Sequence, residues 1–124
     1  MASVQLAAAG GGTTFCGTET GAPDALKQKV QAMAGIKEIH RDRDFVAFQD
    51  PASSTVYTFS EAANFAHPAA ICRKPVQKGD VLEIEMAIVC KGPEAKCTTL
   101  EADFKLLNAK MQADINNQIQ AGRK

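Results

Sequence analysis

The chain has 124 residues, 45% apolar and 23% charged, and its fourteen basic residues balance fourteen acidic ones. This is the size and composition of one globular domain. Without clustered positive charge, nucleic acid and anionic membrane surfaces are disfavoured as partners, and no apolar run approaches the roughly 20 residues of a membrane span.

Residues 1–14, MASVQLAAAGGGTT, are small, weakly apolar and rich in glycine, and are expected to form a flexible N-terminal segment ahead of a single domain over 15–121. They lack the basic start and leucine-rich core of an intact signal peptide. Residues 20–35, TGAPDALKQKVQAMAG, read as a short helix. Pro23 suits its first position and Asp24 the positive end of its dipole. Leu26, Val30 and Met33 share one face, and Gly35 can end the helix in the left-handed conformation.

The period then changes to two. IKEIHR (36–41) is a weak strand or an extended connection. DFVAFQD and STVYTFS, rich in Val, Phe, Tyr and Thr, are better strands, and the turn residues of DPASS between them predict a hairpin. SEAANFAHP is irregular or a single helical turn. AAICRKPV and DVLEIEMAIVC then form a second hairpin around QKG.

If Gln77, Lys78 and Gly79 make a three-residue loop, Val76 pairs with Asp80, Arg73 faces Glu83 and Cys72 faces Ile84. Leu82, Ile84, Met86 and Ile88 then line the core face with Cys72, while Glu83 and Glu85 face solvent. The last element is a helix over most of 99–120. Thr98 and Glu101 have capping-box spacing, and Leu100, Phe104, Leu107, Met111, Ile115 and Ile119 form its apolar stripe.

Four cysteines in so short a chain fit an oxidising compartment. Cys90 ends the longest strand and Cys97 precedes the last helix, and the intervening KGPEAK can fold back, so a Cys90–Cys97 disulfide is expected. Closing so short a loop contributes about 2–3 kcal/mol at most. In the register above Cys72 is separated from Cys90 by roughly 20 Å of strand, far beyond disulfide reach, which leaves Cys16 as its partner.

Other chemistry at these residues is poorly supported. The spacing of Cys90 and Cys97 is not that of a zinc knuckle. Asp42 and Asp44 in HRDRD are opposed by Arg41 and Arg43, and the glycine and glutamate of a calcium loop are missing. His67 and Cys72 superficially resemble a base and a nucleophile, but an extended segment separates them by roughly 15 Å. His67, before Pro68, is expected to make a local hydrogen bond at the strand entry. No nucleophile elbow, metalloprotease, P-loop or dinucleotide pattern occurs, so no catalytic residue, metal or cofactor is indicated.

Taken together, DFVAFQDP, TVYTFS, AHPAAICR, CKGPEAKC and DFKLLNAKM resemble small exported proteobacterial proteins of uncharacterised function, over roughly residues 36–112. The resemblance implies export and one small α+β domain, and carries over no catalytic residue.

The expected fold is therefore α+β: a short N-terminal helix, an antiparallel sheet of about four strands in meander order, and a long C-terminal helix on one sheet face. The expected function is a non-enzymatic binding or interaction module, periplasmic or secreted. Its partner would be an unknown protein or small ligand, with His67, Arg73 and Phe65 as candidate contacts and the exposed sheet face or edge available for a homodimer. One alternative is a small-molecule or lipid carrier with a pocket between helix and sheet near Phe45, Phe48, Phe59, Phe65 and Phe104. Another is a thiol-dependent enzyme using Cys72 and His67.

Overall fold

The computed structural model describes residues 14–121, with side chains described as far as Gln118. The segment expected to be flexible lies outside the described residues except for Thr14. Thr14 belongs to a small hairpin, β1 (Thr14–Phe15) and β2 (Thr18–Glu19). Its two turn residues, Cys16 and Gly17, have φ of 51° and 91°, as the tightest hairpin turns require.

Helix α1 (Pro23–Gln31) follows, with Pro23 in its first turn and with Leu26 and Val30 buried. Five antiparallel strands come next: β3 (Lys37–Arg41), β4 (Phe45–Asp50), β5 (Thr55–Ser60), β6 (Ala69–Lys78) and β7 (Val81–Cys90). They lie in sheet order β3-β4-β5-β6-β7, a meander. IKEIHR is thus a fifth strand, at the edge. Helix α2 (Glu94–Ala121) packs against the sheet and completes the expected α+β architecture.

Strand alternation divides the core in two. On one face Val46, Phe48, Tyr57, Phe59, Ala70 and Cys72 pack against Phe15, Cys16, Leu26 and Val30 of the N-terminal hairpin and α1. On the other, Ala69 and Ile71, with Phe45, Met86 and Ile88, pack against Leu100 and Phe104 of α2. The expectation of an open second sheet face is therefore corrected over β4–β6. The N-terminal hairpin and α1 cover it, because Val46, Phe48, Tyr57 and Phe59 are apolar where a solvent face would be polar.

The register of the last hairpin also differs from expectation. The turn contains two residues, Gly79 (φ 62°) and Asp80, so Lys78 pairs with Val81, Arg73 with Met86 and Cys72 with Ala87. The shift is odd, so it exchanges faces. Cys72 lies on the α1 side, and Arg73 lies under α2 rather than opposite Glu83. Glu83 instead meets Lys78, at 3.2 Å. The observed register gives both halves of the core apolar side chains from β7: Met86 and Ile88 on one face, Ala87 and Val89 on the other. It also accommodates Pro75. β5 pairs only with residues 70–73 of β6, so Pro75 lies beyond the strand its missing N–H would serve.

α2 begins at Glu94, five residues ahead of the expected start near 99. The Pro93 carbonyl accepts the Cys97 N–H at 2.9 Å, so Gly92–Pro93 sets the start. Thr98 is no cap: its hydroxyl donates to the Glu94 carbonyl at 3.1 Å, and Thr99 does the same to Ala95. The expected stripe holds at Leu100 and Phe104, is half-buried at Met111 and Ile115, and fails at Leu107, which is 42% exposed; the Ile119 side chain lies outside those described. Asn108 and Gln112 turn toward the sheet there instead.

Two disulfides close the fold. Cys16–Cys72 spans 56 residues and fixes the N-terminal hairpin to β6, with Cα atoms 6.1 Å apart. Cys90–Cys97 spans 7 residues and joins the end of β7 to the first turn of α2, at 5.8 Å. Cys90 is paired with Ala69, on the face opposite Cys72, so a Cys72–Cys90 bond is excluded in the observed register too.

Candidate functional site

A cleft of about 200 Å³ opens where the start of α1, the end of β5 and the 61–68 loop meet. The loop is shaped by its own polar groups. Glu61 N–H donates to the Asp44 carbonyl, Asn64 N–H to Glu61 and His67 N–H to Asn64. The buried Asn64 side chain accepts the Ala66 N–H at 2.9 Å. The His67–Pro68 peptide is cis, and the Pro68 carbonyl accepts the Lys91 N–H at 2.8 Å, which fixes the loop to the end of β7.

His67 lines the cleft and makes the local hydrogen bond expected of it. Ser60 Oγ accepts the Ala69 N–H at 2.8 Å and lies 2.7 Å from His67 Nδ1. The hydroxyl oxygen has two lone pairs, so it bridges the Ala69 N–H and the imidazole whichever of the two side chains donates. Ser60 is buried and its oxygen is occupied by backbone, so this pair joins β5 to β6 rather than presenting a nucleophile.

Pro23, Phe59, Pro68 and Ala69 supply the apolar part of the cleft. Charge of both signs comes from Asp24, Lys27 and Glu61. Lys27 Nζ lies 3.8 Å and Arg41 Nη1 3.5 Å from Glu61 Oε1. These pairs are partly exposed and individually weak, so an incoming charged group can compete for them. Ser60, Lys27 and Glu61 were not singled out from sequence, and Asp24 was read there only as a helix-start residue. Ser60 and His67 are seven residues apart on separate segments, and only the β5–β6 connection brings them together.

The other candidate contacts do not converge on this cleft. Phe65 is 44% exposed on the loop. Arg73 is on the opposite sheet face, its guanidinium 5.9 Å from the Phe104 ring and Nη1 3.0 Å from Met111 Sδ, with no carboxylate paired to it among the described residues. Burial lowers its pKa. The five phenylalanines of the carrier reading are also divided. Phe45 meets Phe104 edge-on at 5.6 Å under α2, whereas Phe48 and Phe59 lie 6.1 Å apart on the α1 side. All four cysteines are in disulfides, so Cys72 offers no thiol.

At HRDRD, His40 Nε2 lies 2.7 Å from Asp42 Oδ2, and Asp42 Oδ1 accepts the N–H groups of Asp44 and Phe45, both at 2.8 Å. The carboxylate thus shapes the β3–β4 turn. Among the described residues, no group of three or more His, Cys, Asp or Glu side chains is placed to hold a metal ion. No described helix is long and apolar enough to cross a membrane. No protein-family model, curated protein or solved structure matches the chain.

Proposed function

We propose that this chain is an exported, non-enzymatic binding module of the bacterial periplasm or envelope, and that it holds a small ligand in the His67 cleft. The observation that carries the reading is the composition of that cleft, in which Pro23, Phe59, Pro68 and Ala69 stand beside His67, Lys27, Asp24 and Glu61. Apolar lining together with polar groups that can fix a ligand's orientation is what a small-ligand site requires. Ser60 being tied to the Ala69 N–H favours binding over acyl transfer. Two disulfides support passage through an oxidising compartment, and the sequence resemblance supports the bacterial envelope.

The test is equilibrium dialysis of the full chain against a small-molecule extract of periplasm, with retained compounds identified by mass spectrometry. The reading expects a compound retained by the native chain and lost from His67→Ala and Lys27→Ala. Identical retention by all three proteins would overturn it. Cell fractionation tests export separately, since a wholly cytosolic chain with four free thiols removes that part of the reading.

A further inference from the structure

The two outer strands of the sheet are protected in different ways. β3 carries Lys37, Glu38, His40 and Arg41, and its pairing is bulged between Glu38 and His40, both common devices against edge-to-edge association. β7 is longer and unbulged, with apolar residues throughout one face. Its edge is occupied by α2. The Gln112 side chain accepts the Ile84 N–H at 2.7 Å and donates to the Leu82 carbonyl, while Asn108 Nδ2 donates to the Ile84 carbonyl at 3.3 Å. A single amide that takes one N–H and the carbonyl two residues before it does what the C=O and N–H of one residue do in a parallel neighbouring strand.

The apolar anchors of α2 are in its first half: Cys97 through its disulfide, then the buried Leu100 and Phe104. Beyond the exposed Leu107 the contacts with the sheet include the two amides and the Arg73–Met111 approach. Arg73 Nε and Asn108 Oδ1 are both buried without a hydrogen-bond partner. Met111 and Ile115 are only half-buried there, and a segment without fully buried apolar anchors and with unsatisfied polar atoms opens at lower free energy than the core.

We infer that β7 carries a concealed strand-docking edge, covered by Asn108 and Gln112, and that the partner it fits is an extended peptide with basic side chains at alternate positions. The face of β7 turned away from α2 presents Glu83 and Glu85, both exposed. Lys78 pairs with Glu83, and Glu85 has no ion pair among the described residues. A strand laid along β7 would set its alternate side chains beside these glutamates and the others beside Leu82, Ile84 and Met86. A second copy's β7, antiparallel, would bring glutamates against glutamates, which makes self-pairing the poorer fit. This edge is separate from the His67 cleft, and the inference does not depend on that reading.

The test uses two capped probe peptides, Val-Lys-Val-Lys-Val-Lys-Val and its glutamate counterpart, titrated by fluorescence anisotropy into the native chain and the Asn108→Ala/Gln112→Ala variant. The lysine peptide is expected to bind the variant at least about tenfold more tightly than the native chain, with the glutamate peptide binding neither. Equal binding of the lysine peptide to both proteins, or equal binding of both peptides, would overturn the inference. Gln112→Glu keeps an acceptor for Ile84 and loses the donor to Leu82, so it should show a smaller gain without loss of fold. Hydrogen exchange on the native chain gives a readout free of substitutions. The Ile84 amide should exchange at least about tenfold faster than that of Ile71 in mid-sheet, and equal protection would count against a releasable cover.

Discussion

Gly92 packs so tightly on Ala66 that a β-carbon at position 92 would stand 2.7 Å from the Ala66 carbonyl carbon, and nearer still to its oxygen. The neighbouring Lys91 N–H is bound to the Pro68 carbonyl at 2.8 Å, so the strand exit and the 61–68 loop cannot move apart without breaking that bond. Gly92→Ala is expected to lower stability by about 1–3 kcal/mol, the usual cost of overpacking. Urea denaturation measures it. A loss below about 0.5 kcal/mol would mean that the loop yields and is less firmly held than its geometry implies.

Ser60→Ala removes the acceptor of the buried Ala69 N–H and the partner of His67 Nδ1 together. The expected loss is about 1–3 kcal/mol, since a buried donor is left unsatisfied. His67→Ala leaves the Ser60–Ala69 bond in place and should cost less. The two denaturation midpoints, compared, show which of Ser60's bonds matters to the fold.

The disulfides should contribute unequally. On chain entropy alone, the 56-residue Cys16–Cys72 link is worth about 4 kcal/mol and the 7-residue Cys90–Cys97 link about 2 kcal/mol. Replacing each pair by Ala and measuring chemical denaturation should give that order. Thiol titration of the native chain in denaturant without reductant should find none free.

Asp42 is expected to titrate at about 2, below its ordinary 3.8, because the His40 ring bonds its carboxylate and the Phe45 and Asp44 N–H groups add to the effect. A carboxyl depressed in the folded state stabilises it above its unfolded pKa and loses that contribution as pH falls through the folded one. The contribution is therefore complete above about pH 4 and lost towards pH 2. Asp42→Asn should flatten the stability profile within that window alone. Carboxyl chemical shifts followed by NMR would locate the midpoint directly, and a midpoint near 3.8 would remove the basis for this prediction.

Arg73→Met should change stability by no more than about 1 kcal/mol, in either direction. The native guanidinium is partly buried with no carboxylate beside it among the described residues, so loss of its approach to Met111 and its contact with Phe104 is offset by relief of desolvation. A much larger loss in thermal unfolding would point to a counter-ion the charge depends on.

Much of the layout was legible locally. Pro23 and Asp24 mark α1, the Val, Phe, Tyr and Thr content marks β4 and β5, and the separation of Cys90 from Cys97 by a Gly-Pro turn marks their bond. What escaped depended on partners remote in sequence. QKGD can close in two residues or three, and the choice rests on which face β1, β2, α1 and α2 each cover. Thr98 and Glu101 have a capping pattern, yet Pro93 starts the helix earlier. Asn108 and Gln112 interrupt an apolar stripe for the sake of backbone groups on β7, which carry no side-chain signature. Ser60 reads as the polar end of a strand until the β5–β6 connection sets it beside His67.

The sheet also works as a partition, and β6 is one of the strands that serve both compartments. Cys72 belongs to one and Arg73, its immediate neighbour, to the other. A single residue inserted near Ala70 would exchange their sides, carrying the half-cystine beneath α2 and a guanidinium into the packing of Phe15 and Tyr57. A two-residue insertion would keep each side chain facing its own compartment. Tolerance to insertion in this strand should therefore depend on parity before length, and evolution can lengthen the hairpin beyond Arg73 much more readily than it can shift the strand within the sheet.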